Sequence, residues 1–255
     1  MKKSAITNQI LALALETTGR IGSVALGCDG TLSDEKTFSA PLRHSAELFD
    51  TTTELLKKFN KKANQTSRIY ISIGPGSFTG IRISVAVAKM MALAAQSKIV
   101  AVNTSDAMAL NVDPAPLNIK KMNKERCGVD DGGIRKIATV IDAKREQFFI
   151  AVFEKNNGLW QKVLPDCMIK AEEFKEKFDG EPIWLLGEGL LYYAKKFETD
   201  NIKILDKEYW SPRASNVFRL GTQMAAEGKF SDPVSLVPFY IRRPEAEENW
   251  EKKTG

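Results

Sequence analysis

The sequence predicts an α/β protein built from two related lobes. Two stretches share one layout, in which a buried strand ends in an acidic residue and turns back into a second strand: ILALALETTGRIGSVALG from Ile10 and IATVIDAKREQFFIAVFE from Ile137. Further along each half, a strand runs into a glycine turn and then a helix, in IYISIGPGSFTGIRIS from Ile69 and in IWLLGEGLLYYAKKF from Ile183. The repeated order of elements indicates that the two halves have related topologies.

The first lobe opens with a strand and continues with an amphipathic helix. The apolar run from Ile10 to Leu15 is too short for the hydrophobic region of a signal peptide and ends in Glu16, so we interpret it as a strand. The stretch that begins at Ser45 has helical periodicity. Its apolar face consists of Leu48, Phe49, Thr52, Leu55, Leu56 and Phe59. Such a stripe is more often part of a core than of an interface.

The strand from Ile69 to Ile73 leads into a glycine-rich turn and a helix of small residues. Gly80, Ser84, Ala88 and Ala92 recur every four residues, so one helix face would allow a second backbone to approach closely. A glycine turn at a helix N-terminus also suits a phosphate or carboxylate. The candidate anion or nucleotide loop consists of Gly74, Gly76, Ser77, Thr79 and Gly80. On spacing alone, a structural turn that needs glycine for positive φ is the favoured alternative.

The lobe boundary is predicted in the segment from Asp113 to Gly133, which is rich in proline, glycine and charge and has no sustained periodicity. We therefore divide the chain into an N-terminal lobe of residues 1–112, an inter-lobe loop of residues 113–136 and a C-terminal lobe of residues 137–255. A last helix is predicted in SPRASNVFRLGTQMAAEG from Ser211. This helix and the tail after it could pack back on the first lobe.

Composition favours a soluble cytoplasmic protein. No apolar run approaches the ~20 residues that a membrane span requires, so no membrane contact is expected. Three widely spaced cysteines fit neither a zinc ribbon nor a disulfide framework, which favours a reducing compartment. The formal charge of +5 permits contact with nucleic acid, but 32 acidic residues are mixed with 37 basic ones. Charge is therefore weak support for RNA binding.

Two α/β lobes that each open with a hairpin after an acidic residue are the architecture of actin-like ATPases and sugar kinases, the ASKHA or ribonuclease H-like fold. In that setting, Glu16 and Asp142 could face each other across a cleft and hold magnesium. His44 is the only histidine, which removes catalysis by Ser-His-Asp or Cys-His and any paired-histidine metal site within this chain. A polar residue at a helix start is the favoured interpretation of His44.

Six segments of this sequence match a known pattern: ILALALETTGRIGSVAL, PLRHSAELFDTTTELL, GPGSFTGIRISVAVAK, VIDAKREQFFIAVFE, SPRAS and PFYIRRPEAE. Through them the chain resembles the bacterial TsaB (YeaZ) family across nearly its full length, and GPGSFTGIRI is the most specific match. Two departures are Glu16, where many relatives carry Asp, and a somewhat long segment from Asp113 to Gly133.

The resemblance implies an accessory subunit that binds and supports the TsaD transferase in tRNA threonylcarbamoyladenosine (A37) modification. It implies a heterodimer with a TsaD-like protein, a TsaE-like ATPase in the same system and indirect tRNA contact through the complex. Separately, the apolar face of the helix that contains Gly80 and Ala88 could pair two copies when the chain is alone. It implies no catalytic residue, no metal site and no required cofactor, although residual nucleotide binding is possible.

We expect the partner to bind the two helices of the first lobe. The predicted interface residues are Leu48, Thr52, Leu55, Gly80, Ser84, Val87, Ala88 and Met91. The alternative to a binding subunit is an independent enzyme, either an actin-like ATP-dependent kinase that uses Glu16 and Asp142 or a metallopeptidase. The single histidine weighs against the peptidase.

Overall fold

A computed structural model describes residues 9–112 and 134–242. The strands are β1 Leu11–Glu16, β2 Ser23–Cys28, β3 Thr31–Thr37, β4 Thr66–Ser72, β5 Lys98–Val102, β6 Lys136–Asp142, β7 Gln147–Asn156, β8 Leu159–Lys170, β9 Ile183–Leu186 and β10 Ile202–Ile204. The α-helices are α1 His44–Lys58, α2 Phe78–Ala95, α3 Thr104–Ala109, α4 Ala171–Phe178, α5 Leu190–Phe197 and α6 Ala214–Ala226.

The strands form two five-stranded sheets with the same topology. The first sheet has the order β3-β2-β1-β4-β5 and the second has the order β8-β7-β6-β9-β10. In each sheet the three strands of the opening meander are antiparallel, and the remaining strands join in parallel. The sequence prediction of two related α/β halves is confirmed.

Strand β1 is buried on both faces because helices cover the first sheet from both sides. Leu11, Leu13 and Leu15 belong to the core that also contains side chains of α1 and α2. Ala12 and Ala14 point the other way, toward the core with α6. The leucines of LALAL thus place large side chains on one face of the sheet, and the alanines leave space for a helix to pack closely on the other face.

Helix α6 lies in the second half of the sequence but packs on the first sheet, where it contacts β1, β2 and β5. Two hydrogen bonds fix its first turn: Ala214 N–H donates to Ser23 Oγ at 2.9 Å and Ser215 N–H donates to Glu35 Oε1 at 2.9 Å. The lobe boundary predicted between residues 113 and 136 stays a prediction, since the segment from 113 to 133 lies outside the described residues.

The structure corrects the predicted partner interface. Gly80 and Ser84 face the chain's own first sheet: a Cβ on Gly80 would lie 1.7 Å from the carbonyl oxygen of Thr17, and Ser84 Oγ donates to the carbonyl of Ser72 at 3.0 Å. Six of the eight predicted interface residues are buried in this way and cannot meet a partner on a folded chain: Leu48, Leu55, Gly80, Ser84, Val87 and Ala88. Thr52 and Met91 are partly exposed and stay predictions.

The small-residue face therefore does accept a second backbone, but that backbone is the chain's own. Close approach between α2 and the first sheet needs small residues for the same steric reason as docking on another protein. The periodicity of the small residues correctly predicted a close backbone contact. We expected that contact with another protein, whereas it is made with the chain's own first lobe.

Helix α2 bears on the expectation that no segment spans a membrane. It has 18 residues and a mean hydropathy of 1.5, and among the described residues it is the one helix long and apolar enough to cross a membrane by length and composition. Its small-residue face packs against the first sheet of the chain, and 33% of the segment is buried. Its hydropathy is therefore weak evidence for a membrane span.

We expect Gly80→Ala to destabilise the fold strongly, although alanine favours helices. Its methyl group would collide with the Thr17 carbonyl, and relief requires α2 or the turn after β1 to move. We expect a loss of about 2 kcal/mol or more in the free energy of unfolding, measured by guanidinium denaturation. Gly180→Ala is the control, because no atom of the described residues lies within 4 Å of its added Cβ. Equal stability of the two variants would contradict the packing described for α2.

Candidate functional site

The carboxyl ends of β1 and β4 meet the second lobe at a cleft, and the turn after β1 forms its floor. Thr17 Oγ1 donates to the carbonyl of Gly80 at 2.7 Å, and Ser77 N–H donates to the carbonyl of Thr18 at 2.9 Å. A Cβ on Gly76 would lie 2.7 Å from that same Thr18 oxygen. The turn after β1 and the glycine loop after β4 are therefore packed backbone against backbone.

This packing uses part of the predicted anion loop for internal contacts. The N–H of Ser77 is taken by Thr18, and the N–H of Gly80 donates to Ser77 Oγ at 3.3 Å, so Ser77 caps α2. Gly74 has φ +118°, and a Cβ there would lie 2.6 Å from the carbonyl of Phe239. Thr79 is exposed. These contacts favour the structural-turn interpretation, and anion binding at the loop stays a prediction.

Glu16, the acidic residue at the end of β1, is fully buried within a set of hydrogen bonds. One carboxyl oxygen accepts the N–H and the hydroxyl of Thr18 at 2.5 and 2.6 Å, and the other accepts the hydroxyl of Ser72. Burial raises the pKa of Glu16, and the bonds from Ser72 and Thr18 oppose that rise. The Glu16 carboxyl group thus connects the turn after β1 to the end of β4 through buried hydrogen bonds.

Asp142, the corresponding residue of the second lobe, is engaged locally. Its carboxylate accepts the N–H of Lys144 at 2.7 Å and pairs with the ammonium group of Lys144 at 2.9 Å. Across residues 9–112 and 134–242, no cluster of three or more His, Cys, Asp or Glu side chains has a geometry that could hold a metal ion. The environments of Glu16 and Asp142 offer no support for the magnesium site considered from the sequence.

His44 begins α1 and is buried, with only 4% of its surface exposed. Within the described residues, neither ring nitrogen has a hydrogen-bond partner, and the ring packs against Phe38 with 5.8 Å between centroids. Burial lowers the pKa of His44. A buried imidazole with this aromatic neighbour acts as a packing residue.

A small cavity lies in the cleft, between Thr18 and Pro75 on one side and Ile141 and Glu188 on the other.

Glu188 is the residue of this site that sequence reasoning missed. It lies in the turn between β9 and α5, and its carboxylate accepts the N–H of Arg20 at 2.6 Å and the hydroxyl of Ser211 at 2.8 Å. Burial raises the pKa of Glu188. The available signal was the GEG turn, which occupies the same place in the second half as GPG in the first, but its partners are remote in sequence.

A second polar cluster joins α3 to β8 at the side of the cleft. Asp166 accepts the hydroxyl of Ser105, accepts Asn103 Nδ2–H at 2.9 Å and pairs with Lys162 at 2.6 Å. Lys162 also pairs with Asp106 at 2.9 Å. Burial raises the pKa of Asp106, and Lys162 opposes that rise. Each charge has an opposite partner, so the cluster serves as a structural junction.

Comparison with known proteins places this two-lobed chain in a family. A family model described as TsaD, tRNA N6-adenosine threonylcarbamoyltransferase, matches residues 39–250. The tRNA threonylcarbamoyladenosine biosynthesis protein TsaB of Bacillus subtilis is 28% identical over 93% of this chain and 96% of its own length. The protein of that name from Escherichia coli is 25% identical over 95% and 98%. The chain belongs to the TsaD family, in its TsaB (YeaZ) group.

Solved structures agree with this assignment at the level of fold. YeaZ from Pseudomonas aeruginosa has a TM-score of 0.73 at 21% identity and covers 90% of this chain and 99% of its own. A second structure, described as a protein with similarity to the peptidase YEAZ from Pseudomonas aeruginosa, has a TM-score of 0.74 at 21% identity. The two-lobed α/β fold that the sequence predicted is confirmed.

We expect Glu16→Gln to change how stability depends on pH. Because the pKa of the buried carboxyl is raised above 4.5, its contribution to stability is full at low pH and declines as pH rises through the folded-state pKa. Glutamine keeps the acceptor for Thr18 and does not titrate. The stability of the variant relative to the natural chain should therefore increase with pH in urea denaturation series. The same change at the exposed Glu176 should give no such trend, and a flat difference at Glu16 would contradict the buried-carboxyl assignment.

Proposed function

We propose that this chain is an accessory subunit of a bacterial tRNA threonylcarbamoyladenosine (A37) modification complex, in which it binds and supports a TsaD-like transferase. The observation that carries the proposal is the similarity, over more than nine-tenths of the chain, to proteins named for TsaB in threonylcarbamoyladenosine biosynthesis. The match to the TsaD family model supports a partner that shares this fold. A TsaE-like ATPase and a tRNA held mainly by the transferase complete the proposed system, which we place in the cytoplasm.

We also propose that the chain is not itself the catalyst and requires no cofactor. Glu16 has its acceptors filled by Thr18 and Ser72, and His44 is buried beside an aromatic ring. These features support a binding role over the kinase or metallopeptidase alternatives.

The outer face of α2 is our candidate for the docking surface. Ala86, Met90 and Leu93 are exposed and lie at intervals of four and three residues, so they share the helix face opposite Gly80 and Ser84. Leu93 is 88% exposed. On the neighbouring α1, Phe49 is 56% exposed. Exposed apolar side chains on two adjacent helices are typical of a protein interface.

A transfer assay tests the proposed function. The cognate TsaD-like enzyme, supplied with threonylcarbamoyl-adenylate, tRNA and a TsaE-like ATPase, should modify the tRNA only when this chain is added. The assay follows threonylcarbamoyl incorporation with and without the chain. Equal incorporation in its absence would overturn the proposal. Magnesium-dependent ATP turnover by the pure chain, lost in Glu16→Ala, would instead support the kinase.

We expect Leu93→Asp to weaken docking without unfolding the chain. A charge placed in an apolar contact costs binding energy, whereas the exposed site tolerates it in the free chain. The dissociation constant for the TsaD-like protein should rise by at least about tenfold, measured by calorimetry, with unchanged thermal stability. Leu159→Asp is the control, since Leu159 is also exposed but lies on β8 of the other lobe. Unchanged affinity would remove the outer face of α2 from the interface.

The same face could pair two copies of the chain when the partner is absent. Light scattering of the natural chain and of Leu93→Asp distinguishes the cases, because a dimer that uses this face would dissociate in the variant. A dimer that persists in the variant would place self-association elsewhere.

A further inference from the structure

Glu188 connects three segments of the chain that are distant in sequence. Its own turn follows β9 of the second sheet, Arg20 lies in the turn after β1 of the first sheet, and Ser211 lies just before α6. One carboxylate oxygen accepts the Arg20 N–H and the other accepts the Ser211 hydroxyl. The carboxylate therefore bridges the two sheets at the cleft.

The backbone around Glu188 is held in place by close packing. Gly187 has φ +130°, and a Cβ there would lie 2.2 Å from the carbonyl of Val140. Gly189 N–H donates to the same carbonyl at 3.0 Å. The turn is thus pinned to β6 of its own sheet, and the Glu188 side chain projects from a fixed base toward the other lobe.

The opposite side of the contact is equally tight. A Cβ on Gly19 would lie 2.8 Å from the Pro212 ring and 3.3 Å from Glu188 Oε1. The guanidinium group of Arg20 lies over the ring of Tyr192 on α5, 5.9 Å from its centroid, and attracts the carboxylate. The turn after β1 cannot move closer to the second lobe, and it would lose several contacts if the cleft opened.

We propose that Glu188 is a clasp that keeps the cleft between the lobes closed. A charged acceptor that receives a backbone N–H and a hydroxyl group in a mostly buried site makes stronger hydrogen bonds than neutral groups do. With the clasp formed, the turns at the ends of β1 and β9 stay in contact across the cleft. Loss of the carboxylate frees the Arg20 N–H and lets the lobes separate locally.

The rest of the fold does not depend on this clasp. Helix α6 packs on the first sheet, with Ala214 N–H bonded to Ser23 Oγ, and the cluster of Asp166 and Lys162 joins α3 to β8. None of these contacts includes Glu188. Variants at Glu188 should therefore fold and show a local change at the cleft. The inference is independent of the proposed function, since it concerns the closure of the chain on its own.

Amide hydrogen exchange of the full chain tests the clasp. In Glu188→Ala the exchange rate of the Arg20 amide should rise by about 10- to 100-fold, while amides in the centre of β1 change little. Ser211→Ala removes one of the two bonds and should give a smaller rise at Arg20. Glu176→Ala, at an exposed glutamate of α4, is the matched control and should leave every rate unchanged.

A second variant tests the clasp without removing the carboxylate. Gly19→Ala should push Pro212 and Glu188 away from the turn and raise exchange at Arg20 in the same way. Unchanged Arg20 exchange in Glu188→Ala would overturn the proposal. A uniform rise across both sheets would also overturn it, because Glu188 would then support global stability and not closure.

Discussion

The contact between the turn after β1 and the glycine loop after β4 fixes most of the geometry of this chain. The Thr17 carbonyl lies where a side chain at Gly80 would begin, and the Thr18 carbonyl accepts the Ser77 N–H. Because the two backbones touch, the distance between α2 and the first sheet is fixed. From that position the Ser84 hydroxyl donates a hydrogen bond to the carbonyl at the end of β4. The turn held in this way presents the Arg20 N–H to the second lobe.

Polar groups of the chain itself fill the place where open α/β sheets usually bind ligands, the crevice at the carboxyl ends of their strands. The carboxyl group of Glu16, at the end of β1, accepts hydrogen bonds from Thr18 and Ser72. The Thr104 hydroxyl donates a further hydrogen bond to the Thr18 hydroxyl at 3.2 Å. Burial of a carboxyl group is costly unless donors surround it, and here three donors do so. These polar groups of the crevice are consequently engaged in contacts within the chain.

Local pattern was enough to predict the repeated topology, the small-residue face of α2 and the burial of β1. Local sequence pattern did not identify contacts between residues that are distant in sequence. Small residues every four positions indicate a close backbone neighbour, and Gly80 gives the same signal whether that neighbour is the chain's own Thr17 or another protein. Glu188 had no local mark of a partner, since Arg20 lies 168 residues away. Such pairings depend on how the lobes close, which periodicity does not encode.

The two faces of α2 explain why one helix invited conflicting interpretations. Gly80 and Ser84 pack inward, while Met90 and Leu93 point outward. An outward apolar face on a helix already packed against its own sheet adds nothing to the fold of the single chain. Its contact with water is unfavourable in the free chain, and the face becomes buried only when another surface covers it. On the docking surface that we propose, substitutions at the outer face of α2 should change association without changing the fold.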